Sequence, residues 1–169
     1  MWERFGFYLI IGILLLYMTE SLGSGFPGLG FDLSTASDIM GTYLALVYLT
    51  PFLGGLLADR ILGYRKSIAI GGFLMGTGYI MLAVHNEVVF YLGLLMIILG
   101  NGMFKPNISA LVGNLYNEDK YRHLKDSGFN IFYMGINIGA FVCNFIAAYL
   151  RLNYGWGWAF AAAGIGMYI

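Results

Sequence analysis

Charge is scarce in this chain. Nine basic and nine acidic residues make only 11 % of its 169 positions charged, while 59 % are hydrophobic; a soluble domain carries about 25 % charge. So few charges cannot cover that much apolar surface in water, which excludes a soluble bundle. The two signs cancel to a formal net charge of zero, so no basic field recommends nucleic acid as a partner. Cysteine is almost missing: Cys143 stands alone, which rules out an internal disulfide and a cysteine-rich metal site. In its apolar surroundings it reads as a small buried hydrophobe. Histidine is rare too. His85 and His123 fall in connections expected at opposite ends of the molecule, so neither a metal cluster nor a histidine-based triad can form. Gly100-Asn101-Gly102 lacks the Lys-Ser/Thr that would follow in a phosphate loop. The expectation is a protein that is not an enzyme and holds no metal and no organic cofactor.

What is abundant is long apolar sequence. A helix needs about 17–25 mostly apolar residues to cross a bilayer, and six such stretches lie at roughly 2–22, 38–59, 66–84, 88–115, 127–149 and 156–169. Backbone polar groups in lipid must bond within their own segment, so each stretch is expected to be a helix. The fold class is therefore all-α, a polytopic membrane protein. Two stretches look cut short. Phe5 to Met18 is fourteen uncharged residues, roughly 21 Å of helix against a hydrocarbon core of about 30 Å. The last stretch is still apolar at Ile169. A piece truncated at both ends is expected. The first stretch does not read as a cleaved leader, because Glu3 stands beside Arg4 and no small-residue cleavage site follows.

The connections orient the bundle. Arg60, Arg65 and Lys66 lie between helices 2 and 3, and Lys120, Arg122 and Lys125 between helices 4 and 5. The connections on the other side hold Arg151 alone. Under the positive-inside rule this bias puts both ends of the segment in the cytoplasm, on a multi-pass protein of the cell membrane. Gly72 with Gly76, Gly135 with Gly139, and the run Ala161 to Gly164 have the spacing that lets helix backbones approach closely in lipid.

The informative residues are the polar ones that ought not to be there. Lys105 lies about ten residues, or roughly 15 Å, before the Asn117–Asp119 loop. A charge at that depth costs about 2.5–3.5 kcal/mol on insertion scales, so it is expected to face a cavity or a partner. Pro106 follows it and permits a kink. Glu3 and Arg4 form a second cluster, either interfacial or well inside the membrane if helix 1 begins further upstream. Tyr8 lies one turn beyond Arg4; Tyr48 is too deep for an interfacial belt; Asn101 precedes Lys105 by one turn; Asn137 requires hydrogen-bond partners in lipid. Asp59, Arg60, Arg65 and Lys66 surround Gly63 at a helix end, where such charges could latch a cytoplasmic gate or simply cap helices.

Taken in order, these segments resemble a known family. Gly54–Gly63, continued through Ile70, Gly72 and Gly76, looks like the first signature of the proton-dependent oligopeptide transporters. Phe129–Ala140 looks like their second, Gly100–Asn107 like their helix 4 motif, and Glu3-Arg4-Phe5-Gly6-Phe7-Tyr8 like the end of their helix 1 Glu-x-x-Glu-Arg motif. The resemblance runs the whole length. It implies one six-helix half, the N-terminal one, of a major facilitator superfamily transporter, built from two inverted three-helix repeats around a midplane site. It implies proton coupling by Glu3, Arg4 and Lys105, a peptide pocket lined by Tyr8, Tyr48 and Asn137, and a cytoplasmic gate at Asp59, Arg60, Arg65 and Lys66. The expected partners are a small peptide, protons as coupling ion, the lipid bilayer of a bacterial inner membrane and the C-terminal half of the same transporter. If Lys105 pairs with Glu3 in one conformation only, protonation of Glu3 would break the pair and release the gate.

The chain departs from the pattern in two places besides the missing half. The motif's first Glu would precede Met1. Ile11 occupies the position where bacterial peptide carriers usually place an Arg for the peptide carboxylate. Relatives without that Arg include carriers of nitrate and other solutes, so a symporter of another small anionic solute is the alternative, and a non-transporting helical fragment or subunit is the third.

Overall fold

The computed structural model describes residues 1–116 and 121–169. Every regular element among them is helical: α1 (Trp2–Thr19), α2 (Leu33–Leu57), α3 (Tyr64–Leu82), α4 (Glu87–Leu115), α5 (Lys125–Tyr154) and α6 (Trp156–Met167). A π-helical turn (Ala58–Leu62) joins α2 to α3, and a short 3-10 turn (Arg122–Leu124) leads into α5. Asn117, Glu118, Asp119 and Lys120 lie outside the described residues, and with them one of the cations that orient the bundle.

Helix ends follow local chemistry. The side chain of Asp32 accepts from the Thr35 amide at 3.0 Å and from its hydroxyl at 2.6 Å, an N-cap that starts α2 at Leu33, ahead of the apolar run. These bonds hold the Asp32 carboxyl below its ordinary pKa. Asn86 caps α4 in the same way, accepting from Val89 at 3.1 Å. Gly63 (φ 74°) and Gly155 (φ 96°) take the left-handed backbone that ends one helix and opens the next.

Four helical segments, Trp2–Thr19, Leu33–Leu62, Glu87–Leu115 and Arg122–Tyr154, are long and apolar enough to cross a bilayer on their own account, fewer than the six expected. α3 falls short because Arg65 and Lys66 occupy its first turn and glycines dilute the rest. α6 has only 12 residues, about 18 Å of helix.

The packing repeats itself. α1 meets α5 as α4 meets α2, α4 meets α3 as α1 meets α6, and α3 meets α6. Exchanging the first three helices for the last three leaves this scheme unchanged, as two structural repeats require. The core is aliphatic and aromatic, with Leu9, Ile10, Leu14 and Met18 of α1 fully buried against Tyr79, Phe90 and Phe160. By contrast, α2 and α5 turn long rows of exposed apolar side chains outward, among them Phe52, Leu53, Phe141 and Phe145.

α2 and α4 approach backbone to backbone. Pro106 has no N–H to give the Gly102 carbonyl four residues earlier, and that freed carbonyl lies directly over Gly54, where a Cβ would collide with it. Thr50 and Asn107 flank the contact. The Thr50 hydroxyl donates to the Ile98 carbonyl at 3.1 Å, and the Asn107 amide donates to Met103 at 2.7 Å and Gly54 at 3.5 Å. Gly54→Val must push the helices apart, and backbone cannot yield as a side-chain tip does. The expected result is a loss of at least about 1–3 kcal/mol, the cost of overpacking, seen as a lower unfolding midpoint in detergent, while Gly55→Ala, with only the Pro106 Cβ at 3.8 Å, leaves the midpoint unchanged.

Candidate functional site

The first turn of α1 carries Glu3 into the bundle, where it is 8 % exposed. Arg4, its neighbour, turns its guanidinium back so that Nε and Nη2 donate to both oxygens of the Glu3 carboxylate. Such a bidentate pair is among the stronger polar contacts, and burial between helices shields it from water. One turn on, the Phe7 ring lies 5.0 Å from the Arg4 guanidinium carbon. From α4, the Lys105 ammonium sits 5.6 Å from the same ring and 4.9 Å from the ring of Tyr48 on α2. Phe7 therefore lies within cation–π range of two cations and offers its π electrons to both. Its edge contacts to Tyr8, at 5.4 Å, and Tyr48, at 6.4 Å, join α1 to α2 through aromatic rings.

Glu3, Arg4 and Lys105 open onto one cavity of about 480 Å³, lined also by Ser109 and Tyr133 with apolar neighbours from α1, α4, α5 and α6. Lys105 is half-buried and turned toward this space and the Tyr48 and Phe7 rings, not along an outer apolar face. Glu3 and Lys105 share the cavity, yet among the described residues the carboxylate's ion-pair partner is Arg4. Asn101, one turn before Lys105, is fully buried, and among the described residues neither end of its amide has a hydrogen-bond partner.

Other expected site residues lie elsewhere. Tyr8 is 37 % and Tyr48 63 % exposed, on the rim formed with Phe7. Asn137 is exposed on α5 in a separate shallow depression with Asn130, Met134, Ile138 and Phe141; Tyr133 lines both spaces. Asp59, Arg60, Arg65 and Lys66 are all exposed around the π-helical turn. Among the described residues none of them is in an ion pair. The Asp59 carboxylate instead holds the nearby Tyr64 phenol above its ordinary pKa. Phe7 and Tyr133 were not singled out from the sequence. For Phe7 the available signal was its position three residues after Arg4, on the same helical face.

Comparison with known proteins finds the same arrangement of helices. The model of the POT family matches residues 65–169. The chain is 40 % identical over 172 residues to the peptide transporter YePEPT of Yersinia enterocolitica, covering 100 % of this chain and 33 % of that protein. It is 41 % identical over 167 residues to a di-/tripeptide transporter of Lactococcus lactis, covering 98 % and 33 %. An uncharacterized transporter of Bacillus subtilis, YclF, is 42 % identical with the same coverage. Among solved structures, a peptide transporter POT in complex with sulfate superposes with a TM-score of 0.91 at 39 % identity, over 99 % of this chain and 33 % of that one. A POT family transporter in complex with 5-aminolevulinic acid gives 0.89 at 37 %, over 99 % and 34 %. The chain thus spans about a third of the length of the relatives it matches. Its repeated helix packing, its charged cavity and its likeness to these transporters agree, and the chain belongs to the POT family.

Proposed function

We propose that this bundle is the N-terminal, proton-handling half of a symporter that carries di- or tripeptides into the cell, and that it is not an enzyme. The observation that carries the reading is the convergence of the Glu3–Arg4 pair and Lys105 on one cavity. A carboxylate between two cations can change partner when it takes or loses a proton, and a low-dielectric cavity makes the difference large. Glu3, Arg4 and Lys105 couple protons; no other cofactor takes part. Tyr8 and Tyr48 line the peptide pocket at its aromatic rim. Asn137 faces the same substrate from α5 once a second six-helix bundle closes over the exposed faces of α2 and α5. Asp59, Arg60, Arg65 and Lys66 form the cytoplasmic gate, latched in the opposite half of the cycle. The protein spans a bacterial inner membrane with both ends of this segment in the cytoplasm. Names carried by relatives, a peptide transporter and a di-/tripeptide transporter, support the substrate class.

One observation favours another solute. Ile11, 38 % exposed one turn past Tyr8, puts an apolar side chain where a cation could have met a peptide carboxylate. The complete transporter in proteoliposomes tests both readings: under an inward pH gradient it should accumulate a labelled dipeptide, displaced by unlabelled peptides and not by nitrate. Displacement by nitrate would move the assignment to a small anionic solute.

A further inference from the structure

Among the described residues, two phenols deep in the bundle have no hydrogen-bond partner. Tyr43 of α2 is 2 % exposed and Tyr79 of α3 is 0 % exposed, and neither hydroxyl has a partner. Buried polar groups are nearly always bonded, so each exception asks for a reason. Packing alone gives none. Phenylalanine would fill either place with almost the same shape and without an orphaned hydroxyl.

Their position supplies a reason. The Tyr79 phenol is wedged against Gly6, where a Cβ would stand 2.7 Å from its hydroxyl and 2.6 Å from Cζ. Gly6 lies three residues after Glu3 and so on the same side of α1; its missing side chain is the space the phenol occupies. Both hydroxyls are within electrostatic range of the Glu3 carboxylate, and Tyr79 is within range of Tyr43 and Arg4 as well. The two phenols thus approach Glu3 from α2 and α3, while Lys105 comes from α4. The titratable groups around Glu3 are then Arg4, Tyr43, Tyr79, Lys105 and Tyr133 of α5.

We propose that the Tyr43 and Tyr79 hydroxyls are a second berth for Glu3, holding its carboxyl as the neutral acid when it leaves Arg4. The inference rests on Glu3 being the coupling carboxyl. In the arrangement seen here the ionised carboxylate accepts from Arg4. One proton from the aqueous phase converts it to a carboxylic acid, the negative charge disappears, and the ion pair dissolves. The acid then has an O–H to donate and a carbonyl to accept. One phenol oxygen takes the first and the other phenol O–H serves the second, so both orphaned hydroxyls are satisfied together. Arg4 is left facing the cavity beside Lys105, free for an anionic group of the substrate. Tyr43 and Tyr79 are positioning residues in this scheme, acting through Glu3 and not on the substrate.

The test reads Glu3 itself. Infrared difference titration of the complete transporter should show a carboxylic acid carbonyl band that Glu3→Gln removes. In the Tyr43→Phe/Tyr79→Phe double variant that band should move to higher frequency, because the carbonyl has lost its donor. Its pH midpoint should fall by about one unit, a tenfold weaker hold on the proton. Each single variant should give part of the shift. Dipeptide counterflow, which needs no proton gradient, should persist in the double variant while gradient-driven uptake falls. A band with unchanged frequency and midpoint in the double variant overturns the second berth and leaves the coupling role of Glu3 standing. If Glu3→Gln removes no titrating band, both are overturned.

Discussion

Changing Lys105 to Ala in the complete transporter is expected to lower pH-gradient-driven uptake of a labelled dipeptide by about 10- to 100-fold, the usual span of a coupling free energy between two sites. Exchange of internal for external peptide should continue. The reason lies in what Lys105 touches. Its ammonium rests on the rings of Tyr48 and Phe7, while the carboxylate that shares its cavity is held by Arg4. Lys105 is thus a cation kept close to Glu3 without being bound to it, which is what a partner for the other half of a cycle has to be. Its loss removes the alternative pairing and leaves the cavity walls in place. Stability should fall modestly, because two exposed-rim cation–π contacts are worth about 0.5–2 kcal/mol. Lys105→Arg, which keeps the charge, should retain part of the driven uptake. Equal loss of exchange and driven uptake in Lys105→Ala would instead assign this lysine to substrate binding.

The helices were legible in the sequence because lipid enforces them: apolar runs of that length leave the backbone no other structure. Their ends were less so. α2 starts five residues before the expected position, since the cap at Asp32 begins a polar first turn that hydropathy passes over. α5 runs to Tyr154, five residues beyond the expected 149, because Arg151 stays on the helix. There it bonds Glu20 at 3.2 Å and stacks its guanidinium 4.1 Å from the Trp156 ring, so a charged residue belongs to the packed structure. The charges of the site were legible for the opposite reason, since ionised groups are too costly in lipid to be there idly. Which faces meet was not. A helix apolar all round carries no stripe that points to its neighbours. Thus Asn137, grouped with Tyr8 and Tyr48 by resemblance, sits in a depression of its own, and nothing in the sequence marked Phe7 as the ring beside both cations. The orphaned hydroxyls of Tyr43 and Tyr79 could be recognised only once their surroundings were known.

Arg4→Ala should be the most destabilising change at the site. Glu3 and Arg4 side chains are 9 % and 12 % exposed, and breaking a buried pair from one side strands the other charge, at a cost of about 3–5 kcal/mol. The Phe7 contact is lost as well, though the guanidinium at 5.0 Å adds only a fraction of that amount. Arg4→Lys should recover little, because an ammonium cannot give two parallel bonds to one carboxylate. The double change Glu3→Gln with Arg4→Ala separates the two costs. It removes the stranded charge, so its unfolding midpoint in detergent should lie well above that of Arg4→Ala alone and within about 1 kcal/mol of Glu3→Gln. If the double variant is as unstable as Arg4→Ala, the arginine acts through its packing on Phe7 and the ion pair contributes nothing to the fold. If it recovers, the pair is a charge held in place by its partner, and any event that neutralises Glu3 releases Arg4 without unfolding the helices around it.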